Sequence, residues 1–233
     1  MKTYFYTALG IASLLPALSH ANTFCVSDAT GLQTALTTAA GNGEDDTVQI
    51  QQGTYVGNFL YTSTEAFSLT VEGGYTSSCS SRVVDPANTV LDANNSGVVL
   101  VITAPNVWAD FVVDGLTIQN GNTSSAGGGL YVNGLRGIFT LKNNSIISNS
   151  STIGGGVYIS DSGSVTFTNN IIDSNTSLNR GGGVVISHYY PVDIQTVLSN
   201  NVISNNNADD IGGGIYMAAG EMILNDNTVL SQR

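Results

Sequence analysis

The sequence predicts an all-β fold, a right-handed parallel β-helix with three short strands in each coil. Two motifs that repeat in step lead to this prediction. The first is a glycine triplet followed by an apolar or aromatic pair, found at 127–129, 154–156, 181–183 and 212–214. The second has the form Leu/Phe-x-x-Asn and ends at Asn144, Asn170, Asn201 and Asn227, with spacings of 26, 31 and 26 residues.

The segments between these landmarks predict the strands. In one copy they are the runs 138–143, 145–149 and 155–159, which are rich in Val, Ile, Phe and Thr. Each run is too short for a helix, and three runs in a copy give three faces in a coil. The equivalent runs of the next two copies are 165–169, 171–175 and 182–187, then 195–200, 202–206 and 213–217.

Equivalent strands of successive coils pair in parallel about 4.8 Å apart, so residues at the same repeat position stack. The glycine and asparagine motifs are therefore interpreted as structural, not catalytic. The expected buried aliphatic ladder consists of Ile146, Ile172 and Val202. The expected ladder of side-chain amides consists of Asn149, Asn175 and Asn205.

The N-terminal part of the chain predicts a cap. Residues 22–46 contain the segment 28–40, in which Leu32, Ala35, Leu36 and Ala39 have helical spacing before Gly41. Such a helix would cover the apolar interior of the first coil. The β-helix itself is assigned to 47–233, with irregular coils at 47–120 and regular repeats at 121–233. Strand candidates in the irregular coils are 47–51, 67–72, 89–92, 98–103 and 111–118.

The first 21 residues have the pattern of a secretory signal peptide. Lys2 precedes an apolar run, Pro16 interrupts it, and small residues at Ser19 and Ala21 predict cleavage after Ala21. A membrane anchor is the alternative, but the run is shorter than the roughly 18 residues that span a bilayer. The chain is expected to be secreted or to lie on the outer-membrane surface, and not to be an integral membrane protein.

The two cysteines, Cys25 and Cys79, are expected to form a disulfide in an oxidising compartment. Two unpaired thiols are the alternative. The charge of the chain is strongly acidic, with 17 Asp and Glu against 6 Lys and Arg. This balance disfavours nucleic acids and anionic membranes as partners, because both attract clustered basic residues.

The two motifs together resemble those of chlamydial polymorphic outer-membrane proteins and related adhesins. The architecture is similar to bacterial right-handed β-helix proteins of the pectate-lyase-like superfamily, including the N-terminal order of Cys25, helix, 46–50 and 52–55. The sequence departs from that pattern because it stops inside a coil at 227–233, without a membrane barrel or sorting signal. A truncated chain, or a last edge capped by a partner, is expected.

An enzyme resembling pectate lyases needs carboxylates that hold calcium and a basic residue near the sugar. The repeats offer Arg136, Lys142 and Arg180, with no carboxylate cluster expected beside the first two. An enzyme resembling polygalacturonases needs several Asp and a His. The candidates for that chemistry are Arg180, Asp209, Asp210 and His188.

Alignment on the glycine triplets favours a cross-coil ion pair between Arg180 and Asp209 or Asp210 over catalysis. Tyr189 and Tyr190, in an insertion after His188, are candidates for sugar or protein binding, with a simple exposed loop as the alternative. We expect a structural or adhesin-like binding protein without catalysis or cofactor, whose partner is a carbohydrate or a host or cell-surface protein. The alternative is a lyase or glycoside hydrolase that acts on acidic polysaccharide, with calcium only in the lyase case.

Overall fold

The computed structural model describes residues 21–160, 163–188 and 194–233. These residues form one α-helix, two short 3₁₀ turns and a succession of short strands. The predicted signal peptide spans residues 1–21, and all of it except Ala21 lies outside the described residues. No helix in the described ranges is long and apolar enough to cross a membrane.

The strands of the first coils are interrupted by the helix α1 (Ala29–Ala39) and by the 3₁₀ turns Ser77–Cys79 and Pro86–Asn88. In chain order the strands are β1 (Asn22–Val26), β2 (Asp46–Gln51), β3 (Gly53–Val56), β4 (Phe59–Thr62), β5 (Leu69–Tyr75), β6 (Thr89–Asp92), β7 (Leu100–Val107), β8 (Phe111–Asp114) and β9 (Thr117–Gln119).

The strands of the later coils follow the repeat. They are β10 (Leu130–Leu135), β11 (Phe139–Lys142), β12 (Ser145–Ile147), β13 (Ser150–Ile153), β14 (Val157–Ser160), β15 (Val165–Thr168), β16 (Ile171–Asp173), β17 (Thr176–Arg180), β18 (Val184–Ser187), β19 (Gln195–Ser199), β20 (Val202–Ser204), β21 (Asn207–Ala208), β22 (Ile215–Met217), β23 (Glu221–Asn225) and β24 (Thr228–Leu230).

Three long sheets confirm the predicted parallel β-helix, and with eight, seven and six strands they give about seven turns. The first sheet has the order β1-β2-β5-β8-β11-β15-β19-β23, the second β3-β6-β9-β12-β16-β20-β24, and the third β4-β7-β10-β14-β18-β22. A fourth, short sheet of β13, β17 and β21 adds a strand to three of the coils. The sequence does not predict these three strands, because their Ser-Ser-Thr and Thr-Ser segments lack an alternation of apolar and polar residues.

Helix α1 confirms the predicted N-terminal helix. The Asp28 carboxylate caps its first turn by accepting a hydrogen bond from the Gly31 amide at 2.8 Å. Its predicted apolar positions are buried, namely Leu32, Ala35, Leu36 and Ala39. Gln33 fixes the helix to the third sheet by donating to the Leu60 carbonyl and accepting from the Leu60 amide, both at 2.9 Å.

Columns of inward side chains build the core, as the stacking of coils requires. One column of the first sheet runs through Val71, Val113, Leu141, Phe167 and Leu198, all fully buried. In the second sheet the aliphatic ladder is Ile146, Ile172 and Ile203, also fully buried.

The predicted ladder member Val202 was therefore wrong by one residue. It pairs with Ile171 on the outer face, where the two side chains are 39% and 45% exposed. Both Val202 and Ile203 are aliphatic, so periodicity alone does not separate them. The adjacent asparagine turn decides the register of the strand.

Two ladders of buried asparagines join the later coils. In one, the Nδ2 atoms of Asn144, Asn170 and Asn201 donate to the Oδ1 of the next member at 3.2, 2.9 and 2.9 Å, ending at Asn227. The other runs through Asn149, Asn175 and Asn206, at 3.0 Å for each step.

The predicted amide position Asn205 was wrong, since Asn206 occupies the ladder. Asn205 has a φ of 53° and forms the left-handed turn residue that precedes it, as Ser174 does before Asn175. Three consecutive asparagines, 205–207, hide this order in the sequence. A residue with positive φ comes first, and the next one sends its amide inward.

The strap of residues 76–88 crosses the N-terminal coils between β5 and β6. The predicted disulfide is present, and it joins Cys79 of the strap to Cys25 of β1 with a Cα–Cα distance of 5.8 Å. Hydrogen bonds from the Arg82 side chain fix the strap to β5 and β8. The strap thereby connects coils that are distant in the chain.

Candidate functional site

The predicted catalytic candidates do not converge. The four residues of β18 lie between Arg180 and His188, about 13 Å of extended chain. His188 is buried, and its Nε2 lies 3.0 Å from the Oγ1 of Thr196, which is fully buried. A residue enclosed in this way has no access to a polysaccharide.

The expected ion pair between Arg180 and Asp209 or Asp210 is not formed within 4 Å. Arg180 is in register with Ile211, while the amides of the two aspartates bond to the carbonyls of Ser177 and Asn179. The guanidinium lies over the Tyr216 ring, 5.1 Å from its centroid, and Nη1 donates to the tyrosine oxygen at 3.2 Å. Both aspartates are exposed.

Tyr189 and Tyr190 lie outside the described residues. Their expected role in binding stays a prediction.

A cluster of charged residues that the sequence analysis missed lies on the outer face of the first sheet. The Nη1 atom of Arg82 is 3.0 Å from the carboxylates of both Glu72 and Asp114, and Lys142 Nζ is 3.5 Å from Asp114. The expectation that no carboxylate cluster lies beside Lys142 was therefore wrong. Glu72, Asp114 and Lys142 occupy one column of register, but their separations of 42 and 28 residues conceal it.

The carboxylate oxygens of this cluster are all engaged. The Tyr75 hydroxyl donates to one oxygen of Glu72, and Arg82 pairs with the other. Burial, together with this hydrogen bond, raises the pKa of Tyr75 to about 12. Asp114 accepts from Asn143 Nδ2 at 2.8 Å through Oδ1 and from Arg82 through Oδ2.

Such saturation is typical of a structural clasp, because a general base or metal ligand needs a free oxygen. Asp114 is also 4% exposed, so substrate does not reach it. Within the described ranges, no group of three or more His, Cys, Asp or Glu is arranged to hold a metal ion.

The outer face of the third sheet offers a different kind of site. Its outward positions form two parallel rows, one mostly apolar and aromatic, the other polar. The first row is Leu60, Val101, Tyr131, Tyr158, Val185 and Tyr216. The second row is Thr62, Thr103, Asn133, Ser160 and Ser187.

The central part of these rows, which we name the tyrosine face, consists of Tyr131, Tyr158, Asn133 and Ser160. The two tyrosine rings stack with centroids 5.6 Å apart and planes 12° from parallel. Ser160 Oγ donates to Asn133 Oδ1 at 2.9 Å, and all four residues are partly exposed. The face therefore combines flat aromatic rings with hydrogen-bonding groups.

The strands under the tyrosine face hold it in place. The alternate residues of β10 and β14 point inward and are fully buried, namely Leu130, Val132, Val157 and Ile159. Tyr131 and Tyr158 are in register on neighbouring parallel strands, which brings their rings close enough to stack. The apolar-aromatic pair after each triplet signalled this face in the sequence, although the sequence analysis interpreted the motif only as structural.

A pectin methylesterase from Aspergillus niger in deglycosylated form is 13% identical, with a TM-score of 0.35, over 88% of this chain and 85% of that chain. The penultimately deglycosylated form is 12% identical, with a TM-score of 0.37 and the same coverage. Values this low carry no argument about activity. No curated protein sequence matches the chain.

The repeat region gives a direct assignment. The family model described as right handed beta helix region matches residues 86–233, more than half of the chain. This match agrees with the parallel sheets and with the asparagine ladders, and the protein belongs to the right-handed β-helix family.

Proposed function

We propose that this protein is an exported β-helix that acts by binding and not by catalysis, and that its ligand is a glycan bound along the tyrosine face. The observation that carries the proposal is the stacked, partly exposed pair of Tyr131 and Tyr158. This description corresponds to a surface protein with an adhesin-like role.

The chemistry of the tyrosine face suits a sugar chain. A pyranose ring has an apolar face of C–H groups that packs on an aromatic ring, while its hydroxyls need hydrogen-bond partners. Asn133 and Ser160 provide such partners on the same face of the sheet, two residues further along each strand than the tyrosines. Because the rows run along the helix axis, an extended oligosaccharide can contact successive coils.

Export is supported by the predicted signal peptide of residues 1–21 and by the disulfide between Cys25 and Cys79. Disulfides persist in oxidising compartments such as the periplasm and the cell exterior. A glycan-binding protein that is exported in this way acts outside the cell that makes it.

The absence of catalysis in this proposal is supported by the state of the polar candidates. His188 is buried, Arg180 is distant from it along β18, and the carboxylates of Glu72 and Asp114 are engaged. The alternative of a lyase or hydrolase is tested by incubating the purified protein with polygalacturonate and alginate, with and without calcium. Unsaturated products or new reducing ends would overturn the non-catalytic proposal.

The binding proposal is tested with purified residues 22–233 on an array of immobilised glycans, followed by titration of any glycan that binds. The double variant Tyr131→Ala/Tyr158→Ala is expected to weaken binding by at least about tenfold, from lost ring contacts. The matched control is Thr140→Ala/Thr166→Ala, another pair in register on the outer face of the first sheet, with binding unchanged within about twofold. Absence of any bound glycan, or equal binding by both double variants, would contradict the proposal.

A further inference from the structure

Among the described residues, Arg180 is a cation without a negatively charged partner. Arg82 and Lys142 form ion pairs with carboxylates, whereas no carboxylate in the described part of the chain lies within 4 Å of Arg180. Its Nε atom is buried and has no hydrogen-bond partner in the part of the chain that the structure describes.

Part of the surroundings of Arg180 is apolar. It occupies a column of register with Ala126, Ile153 and Ile211. Two aliphatic side chains of this corner are exposed, Leu178 at 64% and Ile211 at 45%. An apolar environment strengthens an ion pair and makes an unpaired charge costly, so this corner favours a carboxylate that arrives from outside.

The guanidinium is also held in a fixed place. It contacts the Tyr216 ring and donates a hydrogen bond to the tyrosine oxygen through Nη1, while its Nη2 group donates to no described residue. Pre-organisation of this kind reduces the entropy lost on binding. Arg and Tyr are among the residue types enriched at protein-binding hot spots.

We infer that the Arg180 corner, defined as Leu178, Arg180, Ile211 and Tyr216, docks a polypeptide segment in which one acidic residue is flanked by aliphatic residues. The acidic side chain accepts hydrogen bonds from Arg180, and its neighbours cover Leu178 and Ile211. This polypeptide partner is distinct from the proposed glycan. It binds near the N-terminal ends of the strands of the third sheet, whereas Asn133 and Ser160 lie near the C-terminal ends of theirs.

The charges around the corner select for a single acid. Asp209 and Asp210 are exposed on the neighbouring turn, and their repulsion increases with each negative charge on the ligand, so a single acid is favoured over a polyanion. The aliphatic side chains disfavour a sugar, because its hydroxyls would lose water without gaining partners. An isolated Glu or Asp between aliphatic residues satisfies both conditions.

The test follows the Arg Nε–H signals by NMR during titration with acetyl-Leu-Glu-Leu-amide and with acetyl-Leu-Gln-Leu-amide. The Glu peptide is expected to shift the Arg180 signal in a saturable manner, and the Gln peptide to bind at least about tenfold more weakly. The Arg82 signal is the internal control, since its carboxylate partners are already bound. Arg180→Gln is expected to abolish the difference between the two peptides.

A second variant separates the apolar contribution from the charge. Leu178→Ser is expected to weaken binding of the Glu peptide at least about threefold. In a separate titration with acetate, which has no aliphatic neighbours, the shift of the Arg180 signal is expected to be the same in this variant and in the unmodified protein. Equal binding of the Glu and Gln peptides, or equal shifts at Arg82 and Arg180, would overturn the inference. Glucuronate binding as tightly as the Glu peptide would also overturn it, because the corner would then select sugars. None of these outcomes affects the test of the tyrosine face.

Discussion

Asn175 donates a hydrogen bond from its side-chain amide to the side-chain carbonyl of Asn206, one coil away and 31 residues later, at 3.0 Å. The same Oδ1 of Asn206 accepts from the Asn175 backbone amide at 3.0 Å. Both side chains are fully buried. This relationship explains why asparagine recurs at one position of each later coil. The backbone amide of a buried turn needs an acceptor, which the asparagine Oδ1 of the next coil provides, and the asparagine Nδ2 donates to the coils on either side.

The first prediction concerns this ladder. Replacing Asn175 by Ala leaves the Asn149 amides without their acceptor and opens a buried gap. We expect the free energy of unfolding to fall by about 3 kcal/mol, measured by urea denaturation. Asn179→Ala is the control, because the Asn179 side chain makes no hydrogen bond in the described structure, and its expected cost is below about 0.5 kcal/mol. Similar costs for both variants would show that the ladder contributes little.

The second prediction concerns the glycine triplets. A Cβ atom at Gly155 would lie 2.4 Å from the Thr176 carbonyl oxygen and 2.5 Å from that of Gly182. Because backbone atoms of two coils meet there, Gly155→Ala is expected to destabilise the fold by about 3 kcal/mol. At Gly41 a Cβ would meet nothing within 4 Å, so Gly41→Ala serves as the control. Thermal unfolding of both variants makes the comparison, and an unchanged midpoint for Gly155→Ala would refute the close approach.

The third prediction concerns the strap. The disulfide joins Cys25 and Cys79, which are 54 positions apart in the sequence. In the chain-entropy model, closing a loop of this length stabilises the folded state by about 4 kcal/mol. We expect Cys25→Ser/Cys79→Ser to lower the free energy of unfolding by about that amount. Reducing agent should lower the stability of the unmodified protein but not of the variant. A decrease in both would contradict a role confined to the disulfide.

The fourth prediction concerns pH. Burial alone would raise the pKa of Asp173, but hydrogen bonds from Ser174, Ser204 and Asn205 outweigh it and hold that pKa below its ordinary value of 3.8. A carboxyl whose pKa is lowered by folding stabilises the fold above its unfolded pKa, and the contribution is lost as pH falls through the folded pKa. Asp173→Asn is therefore expected to be most destabilising at neutral pH and least at pH values below about 3.

Asp46 provides the opposite sign. Its pKa is raised, chiefly by burial, so its ionised form is disfavoured in the folded chain. Asp46→Asn is therefore expected to gain stability relative to the unmodified protein as pH rises above about 4. Unfolding curves measured between pH 2 and 7 compare the two variants. Parallel pH dependence for both would contradict the assignment.

The fold was predictable because it depends on repetition. Glycine triplets and asparagines recur in step, so the parallel stacking, the helix α1 and the disulfide followed from spacing, amphipathic pattern and cysteine number. The register within a coil was less accessible. At 202–203 and 205–207 neighbouring residues are chemically equivalent in the sequence, and the choice between them depends on which one adopts the left-handed turn.

The candidate site was the least predictable part. The cluster of charged residues contains Glu72 and Asp114 from coils of unequal length and Arg82 from the strap. No sequence period relates these three residues. Exposure was equally hidden, since the tyrosines after the glycine triplets have the same pattern as buried aromatic residues. A pairing inferred from position in a turn, such as that of Arg180 with Asp209 or Asp210, failed because Arg180 is in register with Ile211 instead.

The stacking of equivalent residues is the claim on which the rest depends, and engineered cysteines test it most directly. Thr140 and Thr166 are in register on the outer face of neighbouring strands, a separation that a disulfide spans, whereas Thr168 lies two residues further along. Peptide mapping after mild oxidation is expected to find near-complete cross-linking in Thr140→Cys/Thr166→Cys and little in Thr140→Cys/Thr168→Cys. Equal cross-linking in the two variants, or preference for the second, would contradict the coil register described above.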